Sequence, residues 1–267
     1  MKRTTLIDGT RIFCISPTEG QMLYEHIAGY LDHGSIEIKE GDTIIDVGAN
    51  IGVFGIKLSK MFSDIHIFAF EPISDIFTVL GKNVALTKNK KFQIFNWGIS
   101  DKEELLTFTY YPNSPALSTV HPDMWSSDED LIVALEGNLN NPPSNWWWAK
   151  YIPKFVYPYI VKRLRKNAQT IPCKLKTLSQ SINDCNINKI DVLKIDCEGN
   201  EQKVLDGIDD IHWSIIRQII VEVHDIRGRL DYICNLFKEK GYSVAVVNEP
   251  SMEKTALYNV YAKRLLS

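Results

Sequence analysis

The chain has 267 residues, a net charge of −3 at pH 7 and an apolar fraction of 45%. The length fits one large domain, or one domain with an insertion, and the apolar fraction is that of an ordinary globular protein. The small negative charge excludes a general electrostatic attraction to nucleic acid. Basic residues also form no single long patch, so we expect no nucleic-acid partner.

The five cysteines are scattered, odd in number and form no C-x-x-C pair. This pattern favours free thiols in a reducing compartment and argues against a zinc site. No stretch approaches the ~18 apolar residues that would cross a bilayer, and the N-terminus lacks the apolar segment of a signal peptide. We therefore expect a cytoplasmic protein without a membrane partner.

Residues 1–40 are predicted to form an N-terminal extension that precedes a domain spanning 41–267. Thr4–Ile7 and Arg11–Ile15 flank an Asp-Gly pair, which is typical of a β-hairpin. The apolar spacing of Gln21–Leu31 then predicts a helix.

The segment that follows predicts a strand, a turn, a helix and a second strand. The apolar run Thr43–Val47 leads into the glycine-punctuated turn D-V-G-A-N-I-G, and Ile65–Phe70 ends at Glu71. In a parallel α/β sheet, the crevice at such strand ends binds a nucleoside-bearing cofactor. Glu71 lies about twenty residues beyond the turn, where a carboxylate can accept two ribose hydroxyls.

Details of the turn distinguish between cofactors. A dinucleotide-binding turn needs glycine where this chain has Asn50. Asp46, just before the turn, would repel a pyrophosphate but suits an ammonium group. The pattern therefore favours S-adenosylmethionine, with NAD and a βαβ unit without ligand as the alternatives.

A helix is predicted after Ser74, a third strand at Phe92–Trp97 and half of a hairpin at Leu105–Tyr111. The βα rhythm then stops in an insertion at about 112–169. This insertion holds an acidic amphipathic helix, a cluster of tryptophans and tyrosines, and the basic run Lys162–Lys166. Two interpretations are open, a packed insertion with core aromatics and a lid over the cofactor crevice.

The βα pattern resumes in the last third of the chain. Strands are predicted at Asp191–Ile195, Ile219–Val223, Tyr242–Val247 and Tyr258–Lys263, with helices between them. About seven strands with intervening helices predict a doubly wound α/β sheet with an antiparallel last pair.

The blocks DVGANIG, FEP, LKIDCEGNEQKVLDG and VEVHD occur in this order over roughly Gly41–Asp225. With these blocks the chain resembles FkbM-type S-adenosylmethionine-dependent methyltransferases. The resemblance implies a Rossmann-like class I fold, with a seven-stranded, mostly parallel sheet, helices on both faces and an antiparallel last strand. Many members methylate oxygen on natural products or glycans. The segment Ser118–Trp125 is similar to members that work beside polyketide and non-ribosomal peptide assembly lines.

The resemblance also implies roles for particular residues. Glu71 should hold the ribose of S-adenosylmethionine. The methionine end should be lined by residues of the first turn, namely Asp46, Gly48, Asn50 and Gly52. Residues after the third strand should lie near adenine, namely Asn96, Trp97 and Asp101.

Oxygen methylation requires a positioned hydroxyl and an acceptor for its proton. Asp196 and His224 end two strands beside the expected methyl group, and Glu222 alternates with His224 on the same face. Asp196, Glu222 and His224 are therefore the candidate catalytic residues. The same three residues could instead hold a divalent metal ion, but the metal-free arrangement is preferred.

The leading interpretation is an O-methyltransferase that acts on a hydroxyl of a small molecule or of a carrier-protein-bound intermediate. Lys162–Lys166 could contact an acidic carrier, although a solvated helix face is the plainer explanation. The alternatives are methylation of a sugar hydroxyl in a polysaccharide and a cofactor-binding protein without catalysis.

Overall fold

The structure is a computed structural model that describes residues 1–32, 36–121, 128–142, 146–248, 253 and 255–264. In chain order the strands are β1 (Lys2–Thr5), β2 (Arg11–Cys14), β3 (Thr43–Val47), β4 (His66–Phe70), β5 (Phe92–Phe95), β6 (Gly98–Ser100), β7 (Glu104–Tyr110), β8 (Gln169–Thr177), β9 (Val192–Ile195), β10 (Gln218–His224), β11 (Tyr242–Val247) and β12 (Leu257–Arg264). The helices are α1 (Pro17–Asp32), α2 (Val53–Met61), α3 (Ser74–Val84), α4 (Asp128–Asn140), α5 (Tyr157–Arg165), α6 (Leu178–Asp184), α7 (Glu201–Asp206), α8 (Asp210–Trp213) and α9 (Arg229–Glu239).

Seven strands form the central sheet in the order β5-β4-β3-β9-β10-β12-β11. Strands β3, β4, β5, β9 and β10 pair in parallel, and β12 runs antiparallel to both of its neighbours. This arrangement confirms the predicted mostly parallel α/β sheet with a reversed last strand. The carboxyl ends of β3, β4, β9 and β10 meet at one edge, where a doubly wound fold binds its ligand.

Alternating residues on the central strands face opposite sides of the sheet. Ile44 packs in a core with α1, α2 and α3, whereas its neighbour Ile45 packs in a second core with α6, α7 and α9. Helices therefore cover both faces, which explains why β3 is buried at every position.

The predicted half-hairpin β7 pairs with β8, from Glu104 opposite Leu175 to Tyr110 opposite Gln169. The insertion leaves the fold at the end of this ladder and returns to it, so both of its ends are anchored. Its helices α4 and α5 pack on each other through Leu131 and Val161. Residues 122–125 of the segment Ser118–Trp125 lie outside the described part of the chain.

The predicted third strand is shorter than expected. β5 ends at Phe95 and the chain then turns, so that β6 pairs with β8 in a separate three-stranded sheet. The Trp97 ring packs near Phe95 and Phe70, and its indole N–H donates to Ser181. Trp97 therefore lies beyond the end of β5 and is held by these contacts instead of by strand pairing.

The N-terminal hairpin and α1 pack against the central unit. Buried Asn83 of α3 accepts from the Phe13 N–H at 2.7 Å and donates to the carbonyls of Phe13 and Ile51. In the ranges that the structure describes, no helix combines the length and hydrophobicity needed to cross a bilayer.

Candidate active site

The turn after β3 brings three backbone segments together. Gly48 has a φ of 74°, and a Cβ at this position would lie 1.7 Å from the carbonyl oxygen of Asp196. Only glycine fits so close an approach. The N–H groups of Gly48 and Ala49 donate to the carbonyl of Phe70 at the tip of β4. The turn therefore crosses the ends of β4 and β9.

Glu71 lies at the end of β4 and faces this turn. Its Oε2 accepts from the Asn50 N–H at 3.1 Å, and its Oε1 accepts from the Ile73 N–H at 2.9 Å. Burial raises the pKa of Glu71 to about 7. Each carboxylate oxygen has a second lone pair, so the side chain can still accept two hydroxyls.

A buried lysine lies beneath the turn. The Nζ of Lys194 on β9 is 3.1 Å from Asp46 Oδ1 and 3.4 Å from Asp196 Oδ2, and it donates to the carbonyl of Gly48 at 3.1 Å. Burial opposes the charge, but the carboxylates of Asp46 and Asp196 raise the pKa of Lys194 above its usual value. The ammonium group therefore remains charged and joins β3 to β9.

Three carboxylates meet at the adjoining edge, where oxygens of Asp196, Glu198 and Glu222 lie within 4.8 Å of one another. Helix α1 covers Glu222, whose Oε2 is 2.7 Å from His26 Nε2 and accepts from the Tyr30 hydroxyl at 3.1 Å. Burial alone would raise the pKa of Glu222, but the contact with His26 lowers it to about 2. Burial raises the pKa of Asp196.

His224 lies between two further carboxylates. Its Nδ1 is 3.2 Å from Glu201 and its Nε2 is 3.4 Å from Glu198. Burial would lower the pKa of His224, but Glu201 and Glu198 raise it well above its usual value. An imidazolium ring held at both nitrogens has no lone pair to offer, so this arrangement does not suit the predicted proton acceptor or metal ligand.

These groups border a cavity of about 720 Å³, which falls within the range of small-molecule sites. Gly48, Asn50, Glu71, Asp196 and Glu222 line one side. Helix α1 closes a second side. The insertion closes a third with mainly apolar side chains, among them Leu131, Leu135, Trp146, Trp148, Ile152, Val161 and Leu164.

The insertion's aromatics are divided between the cavity and solvent. Trp146 and Trp148 line the cavity, although Trp148 is also 52% exposed, whereas Phe155 is 83% exposed and Tyr151 and Tyr159 are mostly exposed. The aromatics are therefore not simply a packed core. The lid interpretation agrees with the position of the insertion beside the cavity.

Comparison with known protein families identifies the family to which the chain belongs. A model of the methyltransferase FkbM domain matches residues 46–244. The chain belongs to the FkbM methyltransferase family.

Among its relatives is the 31-O-demethyl-FK506 methyltransferase FkbM of Streptomyces tacrolimicus, 30% identical over 97% of this chain and 95% of that protein. The AMB antimetabolite synthetase AmbE of Pseudomonas aeruginosa is 31% identical over 97% of this chain but only 12% of its own length. A solved FkbM methyltransferase from Methylobacillus flagellatus, 11% identical, superimposes with a TM-score of 0.50 over 90% of this chain and 51% of that one. At this identity the superposition supports the fold alone.

Within this FkbM-family fold, the structure separates the predicted cofactor residues. Gly48, Asn50 and Glu71 line the cavity. Asp46 is wholly buried in β3 beside Lys194 and does not line the cavity, while Gly52 faces Leu80 of α3. The backbone turn and Glu71 are therefore the parts of the motif that a ligand would contact.

The residues predicted near adenine do not line the cavity. Asn96 donates to the carbonyls of Glu71 and Pro72, and exposed Asp101 accepts from the Ser100 hydroxyl. Trp97 packs away from the site because the chain leaves the central sheet after β5. From this turn, Gly98 and Ile99 line the cavity instead.

Sequence reasoning missed the contribution of α1. His26 and Tyr30 reach Glu222 although they are almost 200 positions away in the chain, and Glu19 accepts from the Ala116 N–H at the start of the insertion. A signal was present, because Leu23, His26 and Tyr30 recur at helical spacing on one face.

Lys194→Met should lower the free energy of unfolding by about 3–5 kcal/mol, because Asp46 would keep a buried charge without its cation. Adding Asp46→Asn should recover much of this loss. Urea unfolding of the wild type, both single variants and the double variant measures the coupling. Lys88→Met, at an exposed position, is the control. A loss below about 1 kcal/mol for Lys194→Met would contradict the account of this ion pair.

Proposed function

We propose that this chain is an S-adenosylmethionine-dependent O-methyltransferase that acts on a hydroxyl of a natural-product intermediate, either free or tethered to a carrier protein. One observation carries the proposal. Glu71 faces the cavity beside a glycine turn while the carboxylates of Asp196 and Glu222 line the same cavity. Membership of a methyltransferase family supports it.

The donor set suits S-adenosylmethionine. Glu71 would hold the ribose hydroxyls, and the backbone of Gly48 and Asn50 would border the amino-acid end. Carboxylates at the strand ends favour a cation over the pyrophosphate of NAD. When bound, S-adenosylmethionine supplies an electrophilic methyl group on a sulfonium.

The protein would contribute position and charge. In-line transfer requires the acceptor oxygen to be held in line with the methyl–sulfur bond, and the cavity walls exclude water from that region. Asp196 follows the last residue of β9, Glu222 lies near the end of the neighbouring strand β10, and both would orient the hydroxyl. His224 would stay protonated and hold the carboxylates of Glu198 and Glu201 in position.

The insertion supports a substrate with an apolar body. Its contribution to the cavity is mainly aliphatic and aromatic, which suits a polyketide-like or peptide-like intermediate better than a sugar. The similar proteins named for FK506 methylation and for antimetabolite synthesis point the same way. A sugar hydroxyl is the alternative acceptor.

We also propose that the reaction needs no metal. The carboxylates that could hold an ion already have cationic or hydrogen-bonding partners in Lys194, His26, Tyr30 and His224. A divalent ion would have to displace these contacts.

Glu71→Ala should raise the Kd for S-adenosylhomocysteine by about a hundredfold, equivalent to about 2.7 kcal/mol, because two charge-assisted hydrogen bonds are lost. Titration calorimetry measures it, and the wild type should show no binding heat with NAD.

Glu40→Ala is a matched control for this experiment. Glu40 likewise accepts two backbone N–H groups, those of Ser63 and Asp64, but at an exposed position away from the cavity. Its replacement should leave the Kd unchanged. Equal affinity of Glu71→Ala and the wild type would refute the ribose role.

A mass-spectrometric screen with S-adenosylmethionine should show the gain of one methylene unit on hydroxylated natural-product intermediates. Charge reversal of exposed Lys162 and Arg163 to glutamate should slow transfer to carrier-loaded substrate about tenfold and leave free substrate unaffected. Lys88→Glu with Lys90→Glu is the charge-matched control. Methylation confined to sugars would favour the alternative acceptor.

Treatment with EDTA followed by dialysis should leave methyl transfer unchanged, because no step depends on a divalent ion. The assay is run on the substrate found in the screen, with and without added Mg²⁺ or Mn²⁺. Loss of activity that either ion restores would show that the metal-free mechanism is wrong.

A further inference from the structure

The insertion carries a concentration of exposed aromatic side chains. Large apolar side chains clustered on a surface mark a site that binds a protein or a membrane. Among the described residues, six aromatic side chains are exposed, and five of them lie in this one segment, namely Trp147, Trp148, Tyr151, Phe155 and Tyr159.

Two of these rings lie one turn apart on the outer face of α5. Phe155 belongs to the 3-10 turn Lys154–Val156, and the backbone stays right-handed helical from this turn into α5. Positions i, i+4, i+7 and i+8 share a helix face, which places Lys162 and Arg163 beside Phe155 and Tyr159. All four side chains are exposed. These four residues are called the outer face of α5 below.

The inner face of the same helix belongs to the cavity. Ile160, Val161 and Leu164 line the cavity, and Val161 packs on Leu131 of α4. The insertion therefore builds its own core from the inner face alone. Phe155 is 83% exposed and Tyr159 68% exposed, so the packing of the insertion does not account for either ring.

The charge of this segment is positive, although the net charge of the chain is negative. Residues 146–168 contain six Lys and Arg residues and no Asp or Glu. Lys154 and Arg165 pair with acids of α4. Over the ranges that the structure describes, no carboxylate pairs with Lys162 or Arg163. The outer face of α5 therefore presents two rings and two uncompensated cations.

We propose that the outer face of α5 binds an anionic membrane surface. Phe155 and Tyr159 would enter the boundary between headgroups and acyl chains, while Lys162 and Arg163 contact the anionic headgroups. Aromatic side chains next to Lys and Arg are the composition that favours this boundary. Such binding needs no segment that crosses the bilayer, so it departs from the expectation of no membrane partner.

The proposal goes beyond methyl transfer, because it says where the protein works. The inner face of α5 lines the cavity, so binding through the outer face would hold the cavity beside the bilayer. An acceptor with an apolar body partitions into the bilayer and would be concentrated next to the apolar wall of the insertion.

Other occupants of this face account for only part of its chemistry. An acidic protein, such as the carrier considered above, would explain Lys162 and Arg163 but not the two rings beside them. A second copy of the chain would explain the rings, but a two-fold contact would place the same two cations against each other. A bilayer that contains anionic lipid accounts for both features.

Flotation of the full chain with lipid vesicles tests the proposal without substrate or cofactor. The wild type should bind vesicles of equal parts phosphatidylcholine and phosphatidylglycerol, more weakly in high salt, and should bind pure phosphatidylcholine far less. Phe155→Ser with Tyr159→Ser should weaken binding about tenfold or more. Lys162→Gln with Arg163→Gln should weaken it about thirtyfold.

Matched double variants on other surfaces are the controls. Leu105→Ser with Ile211→Ser replaces side chains that are 71% and 73% exposed on β7 and α8. Lys88→Gln with Lys90→Gln removes two exposed charges. Both controls should bind vesicles like the wild type. All variants should keep the urea midpoint of the wild type, because every replaced side chain is exposed.

A wild type that does not float with the anionic vesicles overturns the proposal. Flotation that survives the replacement of both rings, or that the control variants lose equally, overturns it as well. Sedimentation velocity then shows whether Phe155→Ser with Tyr159→Ser dissociates a dimer, and the carrier-loaded assay shows whether it slows transfer. Either result without vesicle binding assigns the face to a second copy or to a carrier protein. Flotation requires no turnover, so failure of the proposed function leaves this test decisive.

Discussion

The buried ammonium group of Lys194 joins the ends of the two central strands. It contacts Asp46 on β3, Asp196 at the end of β9 and the carbonyl of Gly48 in the turn between β3 and α2. A wholly buried carboxylate such as Asp46 is tolerated only when a cation accompanies it. The position of the turn, and hence of the cavity edge that Gly48 and Asn50 form, depends on this contact.

The carboxylates at the acidic edge of the site also have charged or hydrogen-bonding partners. Glu222 is paired with His26, Glu198 with His224, and Glu201 with both His224 and Arg229. Each carboxylate therefore has a partner that fixes its orientation, which is the condition for a pre-organised site. The partners come from α1, β10 and α9, so the site is assembled from distant parts of the chain.

The central sheet contributes the glycine turn and the strand-end carboxylates to the cavity, whereas α1 and the insertion contribute the remaining walls. These two additions both line the cavity and are linked where Glu19 accepts from the Ala116 N–H. An apolar wall from the insertion beside charged strand ends suits a ligand with an apolar body and one reactive polar group.

The parts of the fold that were predictable from the sequence are those with local causes. The strand–turn–helix–strand unit follows from apolar runs and from glycines with positive φ, and the place of Glu71 follows from the length of that unit. Strand alternation also placed Glu222 and His224 on one face. Strand alternation could not show that Asp46 is wholly buried beside Lys194, because burial depends on what packs over a side chain.

Other features depend on long-range packing. The pairing of β7 with β8 spans the whole insertion, and the contact of His26 with Glu222 joins the two ends of the chain. Trp97, predicted near adenine, packs its ring beside Phe70 and Phe95, while Gly98 and Ile99 after it line the cavity. A local pattern can show which helix face His26 occupies, but it does not identify the distant partner in any of these contacts.

A crystal structure of the protein grown with S-adenosylhomocysteine tests the central claim most directly. The account predicts the ribose hydroxyls on the carboxylate of Glu71, the amino-acid end beside Gly48 and Asn50, and the sulfur directed towards the cavity that His26 lines. Ligand density elsewhere on the protein, or a ligand that leaves Glu71 untouched, would contradict it.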